Sequence, residues 1–239
     1  NVASMHFSGD IELLLKAYIQ QDRMQDHFDY DKSGLKKIVA IDTGAFVKYI
    51  TSIYEDFGED IDRQENLSFI WEVDGAERLV AKAVNIMLNG KKFWGILAHP
   101  INVFFKNLDQ NSLPVAKRFV LKFIKQNNKY PKRIDVIFDA IRTSVPIFFE
   151  EALLSYLTHN TDVEDFRKIH WCGNGGVYSG HVNMGEMKAL EWQKVDAIVK
   201  KHDNQLQLML IRNYLKTMIN IELQNAEQER TRRFIDNHD

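Results

Sequence analysis

Cysteine is all but missing: Cys172 is the single one in 239 residues. One thiol excludes a disulfide framework within the chain and every zinc site built on paired cysteines, and it makes a reducing cytoplasm the expected compartment. Proline and glycine are scarce too, at 4 and 12, against roughly 5% and 7% in an average chain, which disfavours a fold built on many tight turns. No apolar run is long enough for a membrane-spanning helix. Neither sign of charge dominates, with 31 Lys plus Arg against 33 Asp plus Glu, so no global electrostatic case exists for a nucleic-acid coat, a basic tail or an acidic solvating chain. The opening residues NVASMHFSG carry no initiator Met, no basic segment and no apolar segment of a targeting signal. A piece cut from the interior or C-terminal part of a longer protein is the expectation that start raises.

What is present is helical spacing. No run of four or more residues alternates apolar and polar between turn signals, so strands are not expected. Ser8 is placed to cap a helix through Leu13, Leu14, Ala17 and Tyr18. One or two further helices are expected over Ile38 to Ile53. The acidic stretch from Glu55 to Glu65 reads as a solvated loop, and Ala76 to Leu88 as a helix stopped by Gly90. Ser112 with Pro114, Pro131 and Pro146 mark three helix starts, since proline costs nothing in a first turn whose N–H groups are unpaired anyway. Thr161 with Glu164 marks a fourth in capping-box spacing. Two more helices are expected from about Met184 and Gln205, the last losing its apolar stripe beyond Leu223.

The starts near 113, 131, 146 and 161 recur every 15 to 18 residues or so, a pair every ~33, within the range of helical-hairpin repeats. The fold expected is therefore all-α, either a HEAT/TPR-like solenoid of helical hairpins or an irregular helical bundle. Residues 1–110 form an N-terminal helical segment in this reading. Residues 111–239 form hairpin repeats ending in a long helix, possible as a continuation of the same domain.

Motifs that carry chemistry are few. Asp29-Tyr30-Asp31-Lys32-Ser33-Gly34 matches the first half of a calcium-binding EF-hand loop, but the twelfth position, where a bidentate Glu closes the site, is Ala40. A polar turn that ends one helix and caps the next is the alternative. Gly173 to Gly180 lacks the Gly-Lys-Ser/Thr of a Walker A loop. His170, Cys172 and His181 fit no common zinc spacing. No catalytic, cofactor-binding or metal-binding residue is assigned.

Two places depart from an ordinary charged helix surface. Between 117 and 133 stand Lys117, Arg118, Lys122, Lys125, Lys129, Lys132 and Arg133 with no acid among them. A solvated outer face is one reading, and contact with a nucleic acid or an acidic protein is the other. The second place is the loop WCGNGGVYSGH, where Trp171, Asn174 and Tyr178 either pack on the helices or meet a partner. The candidate partner-binding residues are thus Trp171, Asn174, Tyr178, Lys122, Lys125, Lys129 and Lys132.

From residue 162 the chain runs EDFRKIHW, then the loop GGVYSGHV, then MGEMKALEWQKVDAIVKK and the long LMLIRNYLKTMINIELQNAEQERTRRFID. That order, over residues 162–239, resembles the C-terminal end of large bacterial STAND-type P-loop ATPases of antiphage defence. The resemblance implies a non-enzymatic helical recognition or regulatory domain that binds a protein ligand and holds the ATPase inactive without it. Its partners would be that ligand and the rest of its own chain, in the cytoplasm, with no cofactor. None of that family's catalytic residues maps here. A nucleic-acid-binding helical module using residues 117–133 is the alternative, and a stand-alone enzyme comes third.

Overall fold

The computed structural model describes residues 10–24, 29, 32–56, 66–89, 100–160 and 196–202, with scattered helical positions between 209 and 231. Among these residues all regular structure is helical and no strand occurs, so the chain is all-α. No helix among them is long and apolar enough to cross a membrane. The chain divides into two compact units, residues 1–123 with 140–148 and residues 124–139 with 149–239.

The first unit opens with α1, Ile11–Met24. Its cap is Asp10, whose Oδ1 accepts the Leu13 N–H at 3.1 Å; Ser8 lies outside the described residues. Leu15, Tyr18 and Ile19, three and four residues apart, supply its buried face. The stretch after it holds two helices, α2 (Ser33–Ile41) and α3 (Gly44–Asp56). The break is Asp42, in extended conformation. Its Oδ1 accepts the Gly44 N–H at 2.8 Å, and so one residue ends α2 and starts α3. The three helices pack on one another. Next, α4 (Ala76–Asn89) packs on α3 and buries Val80, Ala83, Val84, Met87 and Leu88. Gly75 precedes it at φ +76°, where an L side chain is strained, and its carbonyl accepts the Arg78 and Leu79 N–H groups.

Two 3-10 turns that no periodicity signals, Ser68–Glu72 and Pro100–Phe104, are tied to each other. Leu67 N–H donates to the Val103 carbonyl at 2.8 Å, and the Trp71 indole N–H donates to the Phe104 carbonyl. The Trp71 ring lies 5.8 Å from Phe105 and 5.5 Å from Phe119, which in turn lies 5.8 Å from Phe123. Such pairs add about 0.5–1.5 kcal/mol each beyond the area they bury. Phe119 and Phe123 belong to α5, Leu113–Asn127. Its start is held by Asp109, whose Oδ1 accepts the Ser112 N–H at 2.7 Å; that bond comes first among those holding the carboxyl below its ordinary pKa.

The second unit takes the end of α5, the opening turns of α6 (Pro131–Ser144) and α7 (Phe149–His159). Pro131 is the first residue of α6, as its ring geometry favours. Pro146 instead opens a 3-10 turn, Pro146–Phe148, that leads into α7, because Phe148 N–H bonds back three residues to Val145. Ile134, Ile137 and Phe138 are buried, as are Phe149, Leu153 and Tyr156. Phe138 meets Phe149 at 5.9 Å and Tyr156 at 6.2 Å with perpendicular rings. Helical residues 196–201 bury Val199. The helix expected from Thr161 lies outside the described residues, and those expected from Met184 and Gln205 are described in part only.

Candidate functional site

Of the seven candidate partner-binding residues, Lys122, Lys125, Lys129 and Lys132 are all exposed. On α5 the opposite face is closed: Ala116, Phe119, Val120, Phe123 and Ile124 are buried. Trp171, Asn174 and Tyr178 lie outside the described residues, together with His170, Cys172, His181 and the glycines between 173 and 180. The basic residues are thus placed, and the aromatic loop is not.

Ion pairs neutralise some of the surface cations and leave others without a carboxylate, in this stretch as elsewhere. Lys16 pairs with Glu12 at 3.3 Å, Lys36 with Glu72 at 2.8 Å, Arg118 with Glu77 at 2.9 Å and Lys201 with Glu150 at 2.9 Å. Lys122, Lys125 and Lys129 make no ion pair among the described residues. Sequence reasoning overlooked the aromatic beside them. Tyr130 is 61% exposed and the Arg133 guanidinium lies 5.9 Å from its ring centre, while Arg133 Nη1 donates to Asn127 Oδ1 at 3.1 Å. The signal was there: a residue before proline is pushed toward extended backbone, off the helix and away from its buried face.

In the EF-hand-like segment, Asp29 caps a helix. Asp29 Oδ1 accepts the Ser33 N–H and hydroxyl, both at 2.9 Å. Oδ2 accepts the Gly34 N–H and the Tyr18 hydroxyl, both at 2.7 Å. Partial burial pushes the Asp29 carboxyl up, but the bonds from Tyr18, Gly34 and Ser33 outweigh it and leave the pKa below its ordinary value. The residues from the fifth to the twelfth position, Ser33 to Ala40, lie in α2 and so do not wrap around a cation. Gly34 is required by space: a Cβ there would stand 2.8 Å from Tyr18 Cε2 and 3.0 Å from Asp29 Oδ2.

Behind the cap sits a buried charge cluster that the sequence did not disclose. Lys32, at φ 52°, turns its ammonium inward to Asp22, whose second oxygen accepts the Tyr49 hydroxyl at 2.9 Å. The Tyr49 ring also lies under Lys32 Nζ, at 5.8 Å, and meets Tyr18 edge-on at 6.1 Å. The group thereby ties α1, α2 and α3 together and is sealed from substrate. In the second unit, Glu150 Oε1 accepts from His202 Nε2 at 2.8 Å and Lys201 Nζ at 2.9 Å, and these bonds, His202 first, hold its carboxyl below the ordinary pKa.

Among the described residues no three His, Cys, Asp or Glu side chains gather as a metal-holding group. The surface chemistry that stands out is cationic, with one exposed aromatic in its midst. No protein-family model matches the chain, and no curated protein and no solved structure is significantly similar to it.

Proposed function

We propose that this chain is a non-enzymatic recognition and regulatory region of a larger multidomain defence ATPase of the STAND type, binding a protein ligand through its helical surface. The observation that carries the reading is the order of sequence segments over residues 162–239: EDFRKIHW, the Gly-rich aromatic run GGVYSGHV, MGEMKALEWQKVDAIVKK and the polar LMLIRNYLKTMINIELQNAEQERTRRFID. Its finer architecture is a solenoid of helical hairpins. In support, α5, α6 and α7 start at Leu113, Pro131 and Phe149, in equal steps of 18 residues. A regular step is what repeating helical hairpins produce, each burying its apolar stripe on the next.

In this reading the ligand meets Trp171, Asn174 and Tyr178 of the loop, and binding releases a restraint on an ATPase module carried elsewhere in the protein. The test has two parts. Coding sequence upstream of Asn1 should contain GxxxxGK[ST], and ATP hydrolysis by the complete protein should rise when a cognate phage protein is added. Trp171→Ala and Tyr178→Ala should each weaken that response by about 1–3 kcal/mol in ligand affinity, as truncated aromatic anchors do. A parent protein with no P-loop ends the proposal.

A further inference from the structure

We propose that residues 125–133, within the second unit, form a binding surface for single-stranded nucleic acid, on which Tyr130 stacks against an unpaired base and Lys125 and Lys129 meet phosphates. The inference does not rest on the protein-ligand reading above, whose test uses Trp171 and Tyr178; it reassigns Lys125 and Lys129 from the candidate partner-binding residues to phosphate contact.

Four observations converge on it. First, Lys125, Lys129, Lys132 and Arg133 fall within nine residues that hold no acid, in a chain whose overall formal charge is -2. The attraction is therefore local. Second, Lys125 and Lys129 are exposed and make no ion pair among the described residues, a state they share with Lys37, Lys48 and Lys82; here two such lysines stand in a run without acid. A lysine already neutralised by a carboxylate releases few counterions on meeting phosphate, and an unpaired one contributes fully. Third, Tyr130 is 61% exposed in the middle of these charges. Burying that ring against a base removes its exposed apolar surface from water. Fourth, the ring is backed by the Arg133 guanidinium 5.9 Å from its centre, and Arg133 is itself held by Asn127. A cation against one face of a tyrosine fixes the ring and leaves the other face for a second planar group.

That last feature selects the ligand. An acidic peptide would use the cations and leave the ring idle. A duplex keeps its bases stacked on each other and offers the ring none. An unpaired strand offers a phosphate chain and free base faces together, the combination that single-strand binders meet with basic and aromatic side chains.

The test uses the 239-residue chain and fluorescence anisotropy with fluorescein-labelled oligo(dT) and oligo(U) of about 20 nucleotides, beside a duplex of equal length and a polyglutamate competitor. The expected result is binding to the single strands, weaker binding to the duplex, and steep loss of affinity between about 50 and 200 mM salt. Lys125→Gln with Lys129→Gln should reduce the slope of log affinity against log salt by about 1.4, two phosphate contacts on a single strand. Tyr130→Ala should weaken binding by about 5- to 150-fold while Tyr130→Phe retains it. Tyr130→Leu keeps bulk without a stacking face and should lose as much as Tyr130→Ala, which covers the case in which the alanine variant folds poorly. No binding at about 50 mM salt overturns the proposal. So does duplex binding as tight as single-strand binding, polyglutamate competing as well as oligo(dT) at equal charge, or the absence of either variant effect.

Discussion

The Lys32 ammonium lies 2.6 Å from Asp22 Oδ1 with both side chains almost wholly buried, so a full ion pair sits inside a three-helix core. Desolvation makes such a pair costly, and its geometry must be good to break even. Here the second Asp22 oxygen is satisfied by Tyr49 and the cation has an aromatic face beneath it. Truncating one partner strands the other. Lys32→Met should therefore destabilise the protein by about 3–5 kcal/mol, whereas Lys32→Met with Asp22→Leu should recover much of that loss. Urea unfolding followed by circular dichroism measures both. Equal losses in the single and double variants would mean that the pair's charges are not what the site depends on.

Asp29 sets a pH dependence whose sign is fixed. Its pKa is depressed in the folded chain by the Tyr18, Gly34 and Ser33 bonds, against the opposing effect of partial burial. The stabilisation is therefore fully present above the ordinary carboxylate value of 3.8 and is lost as pH falls through the lower folded value. Asp29→Ala should cost about 0.5–2 kcal/mol at neutral pH, as lost helix caps do. The gap between wild type and variant should close in acid, which stability measurements from neutral pH downward read directly.

The two constrained glycines are expected to fail for different reasons. At Gly34 the obstacle is contact, with Tyr18 and Asp29 both within 3.0 Å of an added Cβ, so Gly34→Ala should cost about 1–3 kcal/mol. In a Tyr18→Leu background that penalty should shrink. At Gly75 nothing lies within 4 Å and only the φ of +76° objects; Gly75→Ala should cost about 1–2 kcal/mol, whatever its neighbours are. Melts of the four variants separate contact from torsion.

Glu150 joins α7 to the segment 196–202 through one oxygen that meets both Lys201 Nζ and His202 Nε2. Its depressed pKa, due first to the His202 bond and then to Lys201, places this contribution above the ordinary carboxylate value and removes it in acid. The group is on the surface, so Glu150→Gln should cost only about 0.2–1 kcal/mol globally. Hydrogen exchange of amides 196–202 is the sharper readout. It should quicken in Glu150→Gln at neutral pH and match wild type once Glu150 is protonated.

Helix existence was legible where the apolar stripe was unbroken. Val80, Ala83, Val84, Met87 and Leu88 announce α4, and Phe119, Val120, Phe123 and Ile124 announce α5, because burial follows the 3.6-residue period directly. Pro131 placed a start to the residue. The 3-10 turns at Ser68–Glu72 and Pro100–Phe104 were not legible, since each is held by a partner more than 30 residues away, through Trp71 and Leu67. The burial of Lys32 was not legible: nothing in a run of polar residues marks one lysine for the core, and only the fold brings Asp22 within reach. The basic stretch was visible as charge, and the place of Tyr130 before Pro131 was a signal for its exposure; its pairing with Arg133 was not legible, because only the turn of the helix brings that guanidinium to the ring.

The Trp71 tie has a kinetic consequence. Most packing among α1, α2 and α3 joins neighbours in the chain, and contacts of that kind close short loops and form fast. Trp71 instead waits on Phe104, Phe105 and Phe119, from 33 to 48 positions downstream. Its indole can enter an apolar setting only after those segments arrive. In a stopped-flow refolding experiment on a variant that keeps Trp71 as its one tryptophan, the blue shift of emission should lag behind the helical ellipticity, which makes this side chain a clock for the last step of assembly in its unit.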